Sequence, residues 1–374
     1  MRGARMRPIA IAAGGTGGHL YPAIATAAAL AERDERVVLL TDRRTAERSA
    51  AAFGAAEIHV IRGQGIAGRG LARMPRAFAS LALGVIEARG ILERLAPAAI
   101  VAFGSYPSVA PVLASRALAR RDRPRVVLHE QNAVLGRANR LLARFADLLA
   151  LSFAETMGLP ARTRTALIGT PIRPEIAELA GQAYVAPAAG GPVRLLVLGG
   201  SQGARVFADL IPDALALLPH AMRERLVLTM QCRAEDVART EERLGRLGLT
   251  FRLAPFFDDI ALVFAQAHLV LCRAGASTVA ELACAGRPAI LVPYPHATDD
   301  HQSANARALV AAGAAEAFVE SALTPPVLAE HLTALIADPA RLQAMAQAAR
   351  ALARPQAARD LAEAVLALAP TETH

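Results

Sequence analysis

The sequence predicts an α/β protein of two doubly wound, parallel-sheet domains, and three observations carry that prediction. A strand, a glycine turn and a helix start recur in the two halves of the chain. The first is Ile9-Ala-Ile-Ala-Ala-Gly14-Gly15-Thr16-Gly17-Gly18-His19; the second is Arg194-Leu-Leu-Val-Leu-Gly199-Gly200-Ser201-Gln202-Gly203-Ala204-Arg205. The other strand-like segments are continuously apolar, which is the pattern of parallel strands covered on both faces. The chain has 374 residues, enough for two domains with separate cores.

Taken in order, the first glycine turn needs residues that accept positive φ and let the backbone approach a ligand. The helix that follows offers unpaired N–H groups and a positive dipole end, which suit a phosphate. Val37-Val-Leu-Leu-Thr, Ala99-Ile-Val-Ala-Phe and Val126-Val-Leu-His read as buried strands. Gly104-Ser-Tyr-Pro-Ser108 and Glu130-Gln-Asn132 follow two of them, at strand ends where doubly wound sheets bind ligands. Ala183 to Pro192, rich in Pro, Gly and Ala, reads as a linker. Beyond the second glycine turn, Leu226-Val-Leu-Thr-Met, Leu269-Val-Leu-Cys and Ala289-Ile-Leu-Val-Pro read as strands. The tail from Leu328 to Leu368 is helical in pattern, broken at Pro339 and Pro355.

Composition narrows the function. The net charge is +8, which points to an anionic partner: nucleic acid, a membrane surface or a phosphorylated substrate. Aromatic residues are only 4% and Trp is absent, too few for base-stacking platforms, so nucleic acid is not the expected partner. Lysine is absent, which removes Walker A chemistry and Schiff-base mechanisms. Cys232, Cys272 and Cys284 form no CxxC or Cys/His cluster, so neither a disulfide framework nor a zinc site is expected. The basic start imitates a secretory leader, but the apolar stretch breaks at Gly14 and Gly15. No run reaches the ~18 uninterrupted apolar residues of a membrane span.

Several residues carry alternative readings. Thr278 and Glu281, after the Arg273-Ala-Gly-Ala-Ser turn, form either a capping box or a ribose-binding pair beside diphosphate-facing amides. Pro293-Tyr-Pro-His296 to Asn305 is either a solvated loop or a sugar-contacting one. Its Asp299, Asp300, His296 and His301 match no usual metal-ligand spacing. His19 either caps and packs or acts as a general base. His129 is expected to satisfy buried backbone groups. Leu71, Met74, Phe78, Leu81 and Val85 recur at steps of three and four. They are flanked by Arg62, Arg69, Arg73, Arg76 and Arg89, so this helix either docks on an anionic membrane or packs on its own sheet.

Taken together, Gly14-Gly-Thr-Gly-Gly-His19, His129-Glu-Gln-Asn132, Gly199-Gly-Ser-Gln-Gly-Ala-Arg205, Arg273-Ala-Gly-Ala-Ser-Thr278 with Glu281, and Asp300-His-Gln302 with Asn305 resemble the MurG family within glycosyltransferase family 28. The resemblance runs from about Ile9 to about Ala312. It implies a GT-B fold: two Rossmann-like doubly wound domains facing a cleft, with a C-terminal helix crossing back to the first domain. It implies boundaries at 1–172 plus about 353–374 for an acceptor- and membrane-side domain, and 173–352 for a UDP-sugar donor domain. The implied reaction is GlcNAc transfer from UDP-GlcNAc to undecaprenyl-diphosphate-linked muramyl pentapeptide, with inversion, at the cytoplasmic face of the bacterial inner membrane. No cofactor and no metal are implied, and no Asp-x-Asp motif occurs.

Implied roles follow motif by motif. Thr16, Gly17 and Gly18 line the acceptor side; Asn132 contacts the donor sugar; Arg173 and Ser201 lie near the diphosphate. Phe257 holds uracil through its backbone. Ala276, Ser277, Thr278, Val279, Ala280 and Glu281 bind diphosphate and ribose, and Gln302 binds the GlcNAc hydroxyls. His19 is the candidate base. Two departures stand out: Gly169-Thr-Pro-Ile-Arg173 has Thr where the family has Asn, and Gly104-Ser-Tyr-Pro-Ser108 is poorer in glycine than usual. Three rivals remain at this stage. One is a transferase with another lipid acceptor, such as diacylglycerol. Another is a nucleotide-sugar epimerase. The third is a dinucleotide-dependent oxidoreductase or non-catalytic nucleotide-binding module, against which Gly14-Gly-Thr-Gly-Gly-His lacks the G-x-G-x-x-G spacing.

Overall fold

The computed structural model describes residues 7–15, 17–49, 53–54, 56–62, 74–200 and 203–369. The chain divides into two compact units, Met1–Arg173 with Gln356–His374, and Pro174–Pro355.

The first unit holds strands β1 (Ile9–Ala12), β2 (Val37–Thr41), β3 (Glu57–Val60), β4 (Ala99–Ala102), β5 (Arg125–Glu130), β6 (Leu148–Leu151) and β7 (Thr165–Leu167). They form one parallel sheet in the order β3-β2-β1-β4-β5-β6-β7. Successive side chains of a strand alternate between faces, and here both faces are core. Ile9 and Ile11 of β1, Val37 and Leu39 of β2, and Ala99 and Val101 of β4 turn one way. Ala10, Ala12, Val38, Leu40, Ile100 and Ala102 turn the other. The first face is closed by helix Gly17–Ala31 and by the C-terminal helix Ala357–Leu368, whose Leu361, Ala362 and Val365 join that core. The second face is closed by helices Met74–Leu95 and Val109–Arg116.

The second unit holds β8 (Val193–Leu198), β9 (Leu226–Gln231), β10 (Thr250–Ala254), β11 (Leu269–Cys272), β12 (Ala289–Leu291) and β13 (Ala315–Ala317). The order is β10-β9-β8-β11-β12-β13, again all parallel. Each sheet therefore reverses its strand order beside its first strand, at β1/β4 and at β8/β11. The breaks expected at Pro339 and Pro355 are present: helices Pro325–Ile336, Pro339–Ala351 and Ala357–Leu368 occupy the tail. Asp338 caps the middle one by accepting from the Arg341 amide at 2.9 Å.

Two expectations are corrected. Ala183 to Pro192 does not join the units; it lies inside the second one. The Tyr184 ring is buried in that unit's core and its hydroxyl donates to His268 O at 2.8 Å. The stretch lacks periodicity because it is an irregular segment held by isolated anchors. Strands β3, β6, β7, β10 and β13 are additional to those read from the sequence. Four of these are the sheet edges, where half-exposed residues such as Glu57, His59, Arg252 and Glu316 interrupt the apolar run. The fifth, β6, is buried but follows the helical turns of 137–145 so closely that its Leu-rich sequence reads as more helix.

Candidate active site

Most of the polar residues singled out by the sequence lie at the carboxyl ends of inner strands, the ends at which doubly wound sheets bind ligands; Arg173 follows the edge strand β7. In the first unit, the turn after β1 is packed too closely for any side chain. A Cβ on Gly14 would stand 2.7 Å from Pro107 Cγ and 2.8 Å from Asp42 Oδ2, and Gly15 has φ +87°. Asp42 and Thr45 brace this turn: Thr45 N donates to Asp42 Oδ1 at 3.0 Å, and Gly15 N donates to Thr45 Oγ1 at 3.2 Å. The loop after β4 meets it from the other side, with Ser105 Oγ donating to Gly14 O at 3.2 Å. Ser105 has φ 60° and ψ 168°, a region glycine adopts with ease and other residues rarely, so the loop is held under local strain there.

Gly17, Gly18 and His19 form the first turn of helix Gly17–Ala31. His19 Nδ1 lies 2.8 Å from Phe103 O and 3.2 Å from Gln131 Oε1. Both are acceptors, so Nδ1 carries the proton and the basic lone pair of the neutral ring is on Nε2. Thr16 lies outside the described residues.

Asn132 is positioned by a buried carboxylate. Glu130 accepts from Asn132 N at 3.0 Å and Asn132 Nδ2 at 3.2 Å, and from Gly136 N and Asn139 Nδ2, both at 2.9 Å. Asn139 Nδ2 also donates to His129 O at 3.0 Å. Four donors around one carboxylate satisfy a charge that burial would otherwise make costly. His129 takes the role expected of it: its ring satisfies Gly169 O at 2.8 Å. Gln131 and Asn139, to which the sequence reading gave no role, tie these strand ends together. Arg173 stands 5.2 Å over the Tyr21 ring and belongs to the first unit, as the last residue before the chain passes to the second.

In the second unit the turn after β8 is equally tight. A Cβ on Gly199 would lie 2.3 Å from Ala204 N, and Gly200 and Gly203 have φ +81° and +69°. Ser201 lies outside the described residues. Phe257 follows β10 with its ring buried under the Arg252 guanidinium at 4.9 Å. Helix Ala276–Ala285 starts at the N-cap Gly275, with no side-chain cap. Thr278 is thus the third residue of the helix and Glu281 the sixth, which overturns the capping-box reading: that motif needs Thr at the N-cap itself. The amides of Ala276, Ser277 and Thr278 open the helix, and the Ser277 Oγ is buried without a partner among the described residues.

Gln302 stands at the start of helix His301–Ala311 and bridges two loops. Its Oε1 accepts from Ala274 N at 3.2 Å and Tyr294 N at 2.9 Å. Asn305 Nδ2 donates to Ala274 O at 3.0 Å. Arg273, part of the same motif, is buried and consumed by the fold. It donates to Val292 O at 3.1 Å, pairs with Glu320, and lies 5.1 Å from the Phe207 ring centroid. No group of three or more His, Cys, Asp and Glu close enough to hold a metal occurs among the described residues.

On helix Met74–Leu95, Leu81 and Val85 pack against the first unit's core, so at these two positions the sheet-packing reading holds and not the membrane-facing one. Among its described side chains, Leu83 and Ile86 are the large apolar ones it exposes, 48% and 68%. Arg69, Leu71, Arg73 and the side chains of Met74, Arg76 and Phe78 lie outside the described ones. No helix among the described residues is long and apolar enough to cross a membrane.

Two all-parallel sheets of this order, with glycine turns and helix N-termini at their switch points, define the GT-B fold. The chain matches the glycosyltransferase family 28 N-terminal domain over residues 9–150 and the C-terminal domain over 194–364. It is 53% identical over 336 residues to a UDP-N-acetylglucosamine--N-acetylmuramyl-(pentapeptide) pyrophosphoryl-undecaprenol N-acetylglucosamine transferase of Granulibacter bethesdensis, covering 90% of this chain and 87% of that one. The protein of the same name from Acidiphilium cryptum is 52% identical, with 93% of each chain covered. The crystal structure of Acinetobacter baumannii MurG superposes with TM-score 0.79 at 32% identity, covering 96% of this chain and 99% of that one. The chain belongs to glycosyltransferase family 28, among the MurG transferases. A UDP-GlcNAc 2-epimerase from Neisseria meningitidis also superposes, with TM-score 0.66 over 97% of this chain and 100% of that one; at 12% identity it shares the fold alone.

Burial pushes His129 down from 6.5 to about 4; desolvation is the main cause and the bond to Gly169 O partly offsets it. Between those pH values the unfolded chain binds a proton that the folded unit excludes. Stability is therefore intact above pH 6.5 and falls as pH drops towards 4, by about 3 kcal/mol at the lower end. Melting temperature followed from pH 7 to pH 4.5 is expected to fall more steeply for the wild type than for His129→Phe; parallel curves would contradict this.

Proposed function

We propose that the protein transfers GlcNAc from UDP-GlcNAc to the C4 hydroxyl of undecaprenyl-diphospho-MurNAc-pentapeptide, converting lipid I to lipid II in peptidoglycan synthesis. The observation that carries this is identity of about half to transferases of that name across nine-tenths of the chain. The residue roles rest on the loops at the switch points. The acceptor oxygen attacks the sugar C1 in line as the bond from C1 to the diphosphate breaks, with inversion. The electron pair leaves on the UDP phosphate, and the transition state has oxocarbenium character. Leaving-group charge falls to amides and helix N-termini, those of Ala276 to Thr278 foremost, with Ser201 and Arg173 contributing.

Glu281 accepts from the ribose hydroxyls, Phe257 holds uracil by its main chain, and Gln302 Nε2 and Asn132 contact the sugar. Thr16, Gly17 and Gly18 line the acceptor side. His19 takes the acceptor proton on Nε2. The first unit is the acceptor side and docks at the cytoplasmic face of the inner membrane, since the acceptor is lipid-linked.

Transfer of labelled GlcNAc from UDP-GlcNAc to a soluble lipid I analogue tests the activity directly; turnover of UDP-GlcNAc without acceptor would favour an epimerase. In the same assay His19→Ala is expected to lower kcat 10²–10⁴-fold with both substrates still bound, as loss of a general base does. A near-normal kcat would remove His19 from that role. Glu281→Ala should weaken UDP-GlcNAc binding by about 1–3 kcal/mol in calorimetric titration, because a charged acceptor is lost. Unchanged affinity in a folded variant would rule out the ribose contact. The protein should float with anionic vesicles at low salt, and Ile86→Asp or added salt should release it. Indifference of the wild type to such vesicles would place docking elsewhere.

A further inference from the structure

One unbroken hydrogen-bonded line runs beneath His19, and most of it has no role in the chemistry assigned above. His129, fully buried, lies with Nε2 2.8 Å from Gly169 O. A carbonyl only accepts, so Nε2 carries the proton and Nδ1 is an acceptor. Gln131 Nε2 stands 3.1 Å from that Nδ1 and 3.1 Å from Phe103 O, which uses both of its protons. Gln131 Oε1 then faces His19 Nδ1 at 3.2 Å, and His19 Nδ1 also donates to Phe103 O at 2.8 Å. Each atom has one permitted role. With the Gln131 amide reversed, donor would meet donor at His19, and acceptor would meet acceptor at both Phe103 O and His129 Nδ1.

We propose that His129 and Gln131 are positioning residues for His19: anchored on Gly169 O, they fix the direction of the Gln131 amide, which with Phe103 O holds the His19 ring in its Nδ1–H tautomer and presents Nε2 as the base. The catalytic consequence rests on the reading of His19 as general base; the tautomer itself does not. Burial keeps His129 neutral, as the relay requires, because a proton on Nδ1 would confront the Gln131 amide with a second donor. The line spans the ends of β4 and β5 and the turn after β7, so the orientation of one side chain on helix Gly17–Ala31 depends on three separate segments of the sheet's carboxyl edge.

The ¹⁵N chemical shifts of the imidazoles in the labelled full-length protein report the tautomers directly. The wild type should show His19 protonated on Nδ1 and His129 on Nε2. Gln131→Met and His129→Phe should keep UDP-GlcNAc affinity, give His19 a second tautomer, and lower kcat about 10- to 100-fold with the donor KM unchanged, the cost of a misplaced reacting group. Gln131→Glu should keep the His19 tautomer, since a carboxylate still accepts from Nδ1, but should force a proton onto His129 Nδ1. His19 protonated on Nε2 in the wild type would overturn the proposal without any variant, and so would a wild-type His19 spectrum in Gln131→Met. The two readings fail separately. Shifted tautomers with wild-type kcat in these variants and in His19→Ala would leave the relay standing and remove the base. An inactive His19→Ala beside a Gln131→Met of wild-type spectrum and rate would do the reverse.

Discussion

In each sheet the first strand pairs on one side with the second and on the other with the fourth, β1 with β2 and β4, β8 with β9 and β11. Parallel pairing requires a crossover between neighbouring strands, and crossovers are right-handed. Reversing the strand order therefore sends the chain to opposite faces from two adjacent strand ends. The chain leaves β1 for helix Gly17–Ala31 on one face and β4 for helix Val109–Arg116 on the other. Glycine is needed where the turns must be tight, as the crowding around Gly14 and Gly199 shows.

The second constraint is that polar groups buried at these strand ends must be satisfied from within. Glu130 meets it with four donors, Arg273 with two carbonyls, a carboxylate and aromatic faces, and Gln302 Oε1 with two amides. The motifs thus contain two kinds of residue. Some are consumed in holding the loops: Glu130, His129, Gln131, Arg273 and Asn305. Others, His19, Asn132 and Gln302, are oriented by bonds to those loops. A charged residue in a motif is not thereby a ligand contact, and Arg273 is the clearest example.

Cysteine chemistry plays no part in this arrangement. Cys272 and Cys284 are buried beside Glu281, and desolvation, with the carboxylate adding to it, raises both thiols, Cys284 to about 11. Neither supplies a thiolate near neutral pH. Their packing role is to be small and apolar where helix Ala276–Ala285 crosses its sheet.

The central strands, the glycine turns and the motif residues were legible in the amino-acid sequence, because continuous apolar runs and glycine clusters follow from local constraints: burial on both faces and backbone sterics. The family was legible from five motifs in order. The edge strands β3, β7, β10 and β13 were not, since half-exposed strands carry the mixed residues of a loop. The true start of helix Ala276–Ala285 was not either: Thr-x-x-Glu occurs in the sequence whether or not the Thr is the cap, and only the helix geometry put the cap at Gly275. The tertiary structure alone decided that Leu81 and Val85 face the core, that Tyr184 is an anchor and not a linker residue, and that Gln131 joins two histidines. Those facts depend on side chains far apart in sequence meeting at one sheet edge, and no local pattern encodes which distant carbonyl a buried donor will find.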